Sequence, residues 1–123
     1  MTYTKELLKH FNNPKHVKKL SKPDGIGEVG NLKCGDVMHL EIKVEKNKIK
    51  DIGFQTFGCA AAIASSDVIC EIAKGKPLEQ AENLTKEDII KKLKKMPPIK
   101  VHCSVLGIEA LKEAIKNYKE KQD

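Results

Sequence analysis

The hydrophobic pattern changes from a strand period to a helical period near residue 59, and this change limits the fold more than any other feature. Residues 36–44 are predicted to form a half-buried strand, because apolar and polar side chains alternate from Met38 onward. The apolar members are Met38, Leu40, Ile42 and Val44. A polar turn follows, and residues 49–58 are predicted to form the returning strand. Residues 60–74 then adopt an alanine-rich helical pattern that Gly75 ends.

Further elements are predicted on both sides of this region. Glycine-rich residues 25–30 are a candidate first strand. Helices are predicted at residues 4–11, from Thr85 to a point before the double proline, and at about 104–118. Because strands come before most of the helices, we expect an α+β fold: a three-stranded antiparallel sheet with helices packed on one face. The absence of an internal linker or repeat predicts one domain over residues 1–123.

The charge composition argues against a nucleic-acid-binding protein. The formal net charge is +6, yet all 23 basic residues are lysine, and tryptophan is absent. Arginine forks and aromatic stacking dominate nucleic-acid recognition, so we expect no nucleic-acid partner.

No apolar stretch approaches a membrane span and no signal peptide is evident, so no membrane partner and a cytoplasmic location are expected. Four cysteines in such a chain suggest metal ligands or reactive thiols before disulfides.

Three of the cysteines stand at junctions between predicted elements. Cys34 precedes the alternating strand, Cys59 follows the returning strand, and Cys103 precedes the last helix. If the sheet and helices pack as expected, all three junctions meet at one end of the domain. Asp36 shares the strand parity of Cys34 and of the apolar face, so its carboxylate is expected at the rim of the core.

The donor set favours a metal or cluster site at this end. Three soft thiolates with Asp36 or His102 as a fourth ligand fit a tetrahedral Zn²⁺ or a 2Fe–2S cluster. An oxygen ligand would make that corner labile. Cys59 and Cys103 lie near predicted helix N-termini, which are expected to lower their thiol pKa values. The alternative is that the three cysteines act as small buried hydrophobic residues. Cys70 is expected to be structural, because it lies roughly 16 Å further along its helix than Cys59.

Three sequence blocks resemble the IscU family of iron–sulfur assembly scaffolds, whose fold also forms the N-terminal part of NifU. They are residues 34–38 (CGDVM), 56–66 (TFGCAAAIASS) and 100–106 (KVHCSVL). The resemblance covers essentially the whole chain. One departure is Ala60-Ala61, where the family usually has Gly-Ser; small size is kept, while a hydroxyl and some loop freedom are lost.

The resemblance implies a scaffold rather than an enzyme. It implies that a 2Fe–2S cluster is assembled from iron and sulfur and then transferred to apo-proteins. The cluster ligands it implies are Cys34, Cys59 and Cys103, with Asp36 and His102 as further metal-site residues. Zinc is expected as an alternative metal in the isolated protein. The implied partners are a cysteine desulfurase, an iron donor and apo iron–sulfur acceptors, and the protein is expected to be a monomer or a transient homodimer.

A proline-containing segment suggests a further partner. The residues are Met96, Pro97, Pro98, Ile99 and Lys100. They are similar to the family's Leu-Pro-Pro-Val-Lys segment, which a heat-shock chaperone of the DnaK class binds. The alternative is that the double proline only ends one helix and sets the entry to the next.

Two other functions remain as alternatives. The first is a zinc-bound persulfide acceptor that resembles the SufU branch, which shares the three cysteines and the aspartate. That branch has an insertion between the second and third cysteine blocks, lacks the Pro-Pro motif, and has no histidine at the position of His102. The second is a structural zinc domain that binds nucleic acid, against which the missing arginine argues.

Overall fold

An antiparallel sheet of three strands forms the centre of the structure, with helices against one face. The computed structural model describes residues 3–31 and 35–121. The strands, in the spatial order β1-β2-β3, are β1 (Gly25–Asn31), β2 (Asp36–Glu45) and β3 (Lys48–Phe57). The helices are α1 (Lys5–Asn12), α2 (Ala60–Ala73), α3 (Leu78–Glu82), α4 (Lys86–Lys92) and α5 (Val101–Lys121). The predicted α+β class and the three-stranded antiparallel sheet are confirmed.

The core lies between the sheet and the long helices. Helix α5 packs on β1 and β2, while α2 packs on β3 and α5. The apolar positions of the alternating strand face this layer, and so do those of its partner strand. The fully or almost fully buried members are Met38, Leu40, Ile42, Ile52 and Phe54. The predicted parity of β2 is therefore correct.

The opposite face of the sheet is less exposed than the alternation indicates. The segment before β1 first pairs with the edge of β3, where the Phe54 amide donates to the carbonyl of His16 at 2.9 Å. It then crosses this face, where the Leu20 amide donates to Glu41 Oε1, also at 2.9 Å. Glu41 is buried as a result, although the pattern placed it on a solvated face. A loop rich in lysine, proline and glycine gives no periodic signal from which this cover could be predicted.

The last third of the chain differs from prediction in two ways. Helix α3 was not predicted, because its five residues are too short to show a helical period. Helix α5 starts at Val101 rather than near residue 104, since a 3₁₀ turn at Pro98–Lys100 leads directly into it. The predicted N-cap of α4 is confirmed, where Thr85 and Asp88 form a reciprocal capping box.

Two glycines of β1 bring α5 into backbone contact with the sheet. A Cβ atom built at Gly25 would lie 2.2 Å from the carbonyl oxygen of Ala114, and one at Gly27 would lie 2.1 Å from that of Ala110. Neither carbonyl is the flexible end of a side chain, so neither can move aside. This close approach sets the height of α5 above the sheet.

Within the ranges that the structure describes, no helix is both long and apolar enough to cross a membrane.

The close approach predicts that Gly27→Ala destabilises the fold. The added methyl group must push α5 away from β1, and overpacking of this kind costs about 1–3 kcal/mol, with rigid backbone neighbours favouring the upper end. Gly30→Ala is the matched control, because its nearest neighbour would be 3.5 Å away. Urea unfolding of both variants measures the difference. Equal stability of the two variants would contradict the backbone contact.

Candidate metal centre

The ends of three secondary-structure elements converge at one end of the sheet. Asp36 is the first residue of β2, and Cys59 is the N-cap of α2, two residues after the end of β3. Because β2 and β3 are antiparallel, with Val37 opposite Phe57, the start of one strand lies beside the end of the other. Cys103 is the third residue of α5. The sequence predicts Cys103 before this helix, but the residue lies inside the first turn, because the helix starts at Val101.

The ligand atoms of these three residues form a compact group, all within 4.8 Å of one another. The two sulfur atoms of Cys59 and Cys103 are 3.8 Å apart, and Cys103 Sγ is 3.6 Å from Asp36 Oδ2. Tetrahedral coordination of zinc, with Zn–S near 2.3 Å and Zn–O near 2.1 Å, separates two sulfurs by about 3.8 Å and a sulfur from an oxygen by about 3.6 Å. The spacing fits metal coordination.

His102 lies at the same centre. Its Nε2 atom is 3.6 Å from Cys103 Sγ and 3.7 Å from Asp36 Oδ2. The imidazole side chain is 34% exposed, whereas that of Asp36 is 3% exposed. Both candidates for the fourth ligand are therefore within reach of the same ion, one from the protein interior and the other from the solvent side.

Burial divides the site into an inner and an outer part. Cys103 is fully buried and Asp36 is almost so, while Cys59 is partly exposed. Gly58 makes room for the inner part, because a Cβ atom there would lie 2.5 Å from Asp36 Oδ1. Of the site sulfurs that the structure describes, the partly exposed one of Cys59 is the one that solvent and exchanging ligands can reach.

The electrostatics of Cys103 differ from the prediction. Burial raises the pKa of the Cys103 thiol, and the neighbouring Cys59 and Asp36 raise it further. The expected lowering by a helix N-terminus is wrong for this residue, because desolvation and anionic neighbours outweigh the helix dipole. Without metal the thiol keeps its proton, and a bound cation would displace it.

A cation stands at the outer part of the site. The pKa of Lys100 is raised, first by the charge of Cys59 and then by Tyr3 and Cys103. Among the residues that the structure describes, no side chain caps the N-terminus of α2, which begins immediately after Cys59. The surroundings of Cys59 therefore favour negative charge.

Two other cysteines complete the account of the predicted set. Cys34 lies outside the described residues; in sequence, only Gly35 separates it from Asp36. Cys70 is fully buried in α2, far along that helix from Cys59, and burial raises its pKa well above the usual value. It is absent from the group of ligand atoms, as the helix spacing indicated.

The proline-containing segment is partly covered. Met96 is 5% exposed, and its sulfur accepts a hydrogen bond of 3.3 Å from Ser104 Oγ. Pro97 is also buried, and Pro98–Lys100 form the 3₁₀ turn. A partner that binds this segment as an extended peptide would have to draw Met96 and Pro97 out of the structure.

Two histidines have a structural role that no sequence pattern indicates. His10 Nδ1 is 2.6 Å from Asp67 Oδ2, and His16 Nδ1 is 2.9 Å from Asp67 Oδ1. Asp67 is 2% exposed and also accepts hydrogen bonds from the amides of Lys15 and His16. It thereby fastens the loop after α1 to α2. The available signal was a carboxylate that lies between the alanine-rich start of α2 and the apolar residues Val68 and Ile69.

An apolar surface at the rim of the site was also missed. Phe57 is 76% exposed and its cross-strand partner Val37 is 38% exposed. Both lie next to site residues, Val37 after Asp36 and Phe57 two residues before Cys59. Adjacent exposed apolar side chains beside a site form a candidate contact surface for another protein.

Comparisons with known proteins agree with this geometry. The family model described as NifU-like N terminal domain matches residues 2–123. The chain is 48% identical over 126 residues to the iron-sulfur cluster assembly scaffold protein IscU of Haemophilus influenzae, covering 99% of both chains. It is 48% identical over 116 residues to IscU 1 of Archaeoglobus fulgidus, covering 94% of this chain and 76% of that relative.

Solved structures share the fold. A putative iron-sulfur cluster assembly scaffold protein for the SUF system from Fervidobacterium islandicum superposes with a TM-score of 0.78 at 27% identity, over 92% of this chain and 96% of that one. The N-terminal NifU-like protein of Brucella abortus gives a TM-score of 0.77 at 20% identity, over 95% and 94% of the two chains, and so supports the fold alone. On the family match and these relatives, the chain belongs to the NifU-like N-terminal domain family.

Proposed function

We propose that this protein is a scaffold on which a 2Fe–2S cluster is assembled and from which it is transferred to apo-proteins. The observation that carries the proposal is the convergence of Asp36, Cys59 and Cys103 within 4.8 Å at one end of the sheet. The relatives named as IscU scaffold proteins support the same function. The cluster is cargo in this proposal, and the chain is a carrier rather than an enzyme.

The proposed ligands are the thiolates of Cys34, Cys59 and Cys103, with Asp36 or His102 in the fourth position. Thiolates are the usual ligands of iron in such clusters, whereas a carboxylate is a poor match in softness. A mixed set holds the cluster firmly at the buried Cys103 and weakly at the oxygen corner. We propose that residues 1–123 do this as one domain.

The proposal requires partners that supply and accept the cargo. We propose a cysteine desulfurase for sulfur, a separate iron donor, and apo iron–sulfur proteins as acceptors. The exposed apolar pair Val37 and Phe57 supports protein contacts beside Cys59. Binding of a DnaK-class chaperone to Met96–Lys100 remains a prediction, as does a monomer or transient homodimer. We place this activity in the cytoplasm, where thiols stay reduced.

A second candidate is a zinc-bound persulfide acceptor of the SufU type. The spacing of the ligand atoms, which fits a tetrahedral zinc ion, favours it. The position of His102 beside the site argues for the cluster scaffold. The two functions differ in what the protein forms with iron and sulfide, so anaerobic reconstitution separates them.

We expect each site cysteine to be needed for the cluster and Cys70 to be dispensable. Replacing Cys34, Cys59 or Cys103 by alanine removes one of three strong ligands, so cluster yield should fall at least about tenfold. The measurement is visible absorption and iron content after anaerobic reconstitution with Fe²⁺ and sulfide.

Cys70→Ala is the matched control, because this fully buried thiol lies away from the site. It should keep the chromophore even if packing loss lowers stability. If Cys70→Ala stays folded and loses the cluster, the ligand assignment is wrong. If the parent protein binds zinc and never develops a chromophore, the scaffold function is wrong and the SufU-type function stands.

We expect Asp36 to affect release more than assembly. Asp36→Ala should still load a cluster, with His102 or an external thiol as the fourth ligand. Transfer to an apo-ferredoxin should then be slower than for the parent, because the labile oxygen corner is gone. Circular dichroism of the acceptor follows the transfer rate.

The alternative is that Asp36 only stabilises the start of β2, where its carboxylate lies against Gly58. In that case the substitution lowers the unfolding temperature, and the folded fraction transfers its cluster at the parent rate. Thermal unfolding is therefore measured on the same samples. Unchanged or faster transfer at full loading would reject the role in release.

A further inference from the structure

A basic groove with an apolar floor lies between α2 and α4, and it takes no part in the proposed cluster site. Its volume is about 400 Å³. The floor consists of the half-buried side chains of Ile72 and Leu84, which pack on the core. Lysines and one carboxylate form its wall: Lys76, Lys91, Lys92, Lys94 and Asp88.

The charge of this groove is poorly compensated from within the protein. Lys92 approaches Glu71 at 4.0 Å, the outer limit for an ion pair. Within residues 3–31 and 35–121, Lys76, Lys91 and Lys94 make no salt bridge. The one carboxylate in the wall, that of Asp88, is already hydrogen-bonded to the amide and hydroxyl of Thr85. Several ammonium groups therefore face a shared concave space without local partners.

Helix stability accounts for only part of this arrangement. Lys91 and Lys92 lie in the last turn of α4, where cations stabilise the helix dipole. Lys76 lies outside that helix. Lys94 follows it with a φ of 72°, a left-handed conformation that glycine adopts at little cost and lysine does not. The backbone is thus strained at Lys94, whose side chain forms part of the groove wall.

We propose that this groove binds an acidic segment of a partner protein that carries one apolar anchor residue. The lysines match carboxylates, and the floor of Ile72 and Leu84 matches one buried side chain. A protein segment is favoured over a nucleic acid because the groove wall contains neither arginine nor an aromatic ring for stacking. The site is separate from Met96–Lys100 and does not depend on the proposed function.

The test uses fluorescence anisotropy with a labelled peptide of sequence Glu-Glu-Asp-Phe-Glu-Asp-Glu at low ionic strength. The full chain should bind this peptide, and the triple variant K76E/K91E/K94E should bind it at least about tenfold more weakly. A peptide with Phe replaced by Ser should bind the parent about fivefold more weakly, because it has no anchor for the apolar floor. If the charge reversals disturb α4, K76Q/K91Q/K94Q gives the same direction with less repulsion.

The matched control is K19E/K22E/K121E, which makes the same change of charge at exposed lysines outside the groove. It should keep peptide affinity within about twofold of the parent. Equal losses in the two triple variants would overturn the proposal and leave only non-specific charge attraction. No binding to the parent would also overturn it. So would an oligodeoxythymidine of equal charge that binds as tightly and depends on the same three lysines.

Discussion

The backbone contact between β1 and α5 is the constraint on which the site depends. Gly25 and Gly27 let the helix rest on the strand without intervening side chains. Cys103 is in the first turn of that helix, while Asp36 begins the neighbouring strand. The distance of 3.6 Å between Cys103 Sγ and Asp36 Oδ2 therefore depends on a contact made along the body of α5. Gly58 acts in the same way at close range, by admitting the carboxylate beside the N-terminus of α2.

The uneven burial of the ligands suggests how one site can both hold and release a cargo. Cys103 is fully buried, and its raised pKa keeps it protonated until a cation arrives. Cys59 is partly exposed and lies near Lys100 and the start of α2, whose ammonium and peptide amides favour added negative charge. In the proposed function, an anionic cluster would thus be attracted at the outer thiol and anchored at the inner one. The exposed Phe57 stands next to the outer thiol, where a partner must approach.

Local patterns were sufficient for most of the fold and for the convergence of Asp36, Cys59 and Cys103. The alternation of β2, the capping box of α4 and the end of α2 at Gly75 each follow from a few neighbouring residues. What the sequence did not reveal depends on long-range packing. The cover over Glu41 and the fastening of His10 and His16 to Asp67 join distant segments through loops without a period. Burial raises the pKa of Cys103, and this burial could not be predicted from the position of the residue near a helix N-terminus.

The central claim is that thiolates and one oxygen or nitrogen ligand together hold a 2Fe–2S cluster at one end of the sheet. Mössbauer spectroscopy combined with iron X-ray absorption on protein reconstituted with ⁵⁷Fe and sulfide tests it most directly. The account predicts a diamagnetic 2Fe–2S pair with two unequal iron sites, one of them carrying an oxygen or nitrogen donor. Two equivalent iron sites with sulfur ligation only, or a protein that retains zinc and takes up no iron pair, would contradict it.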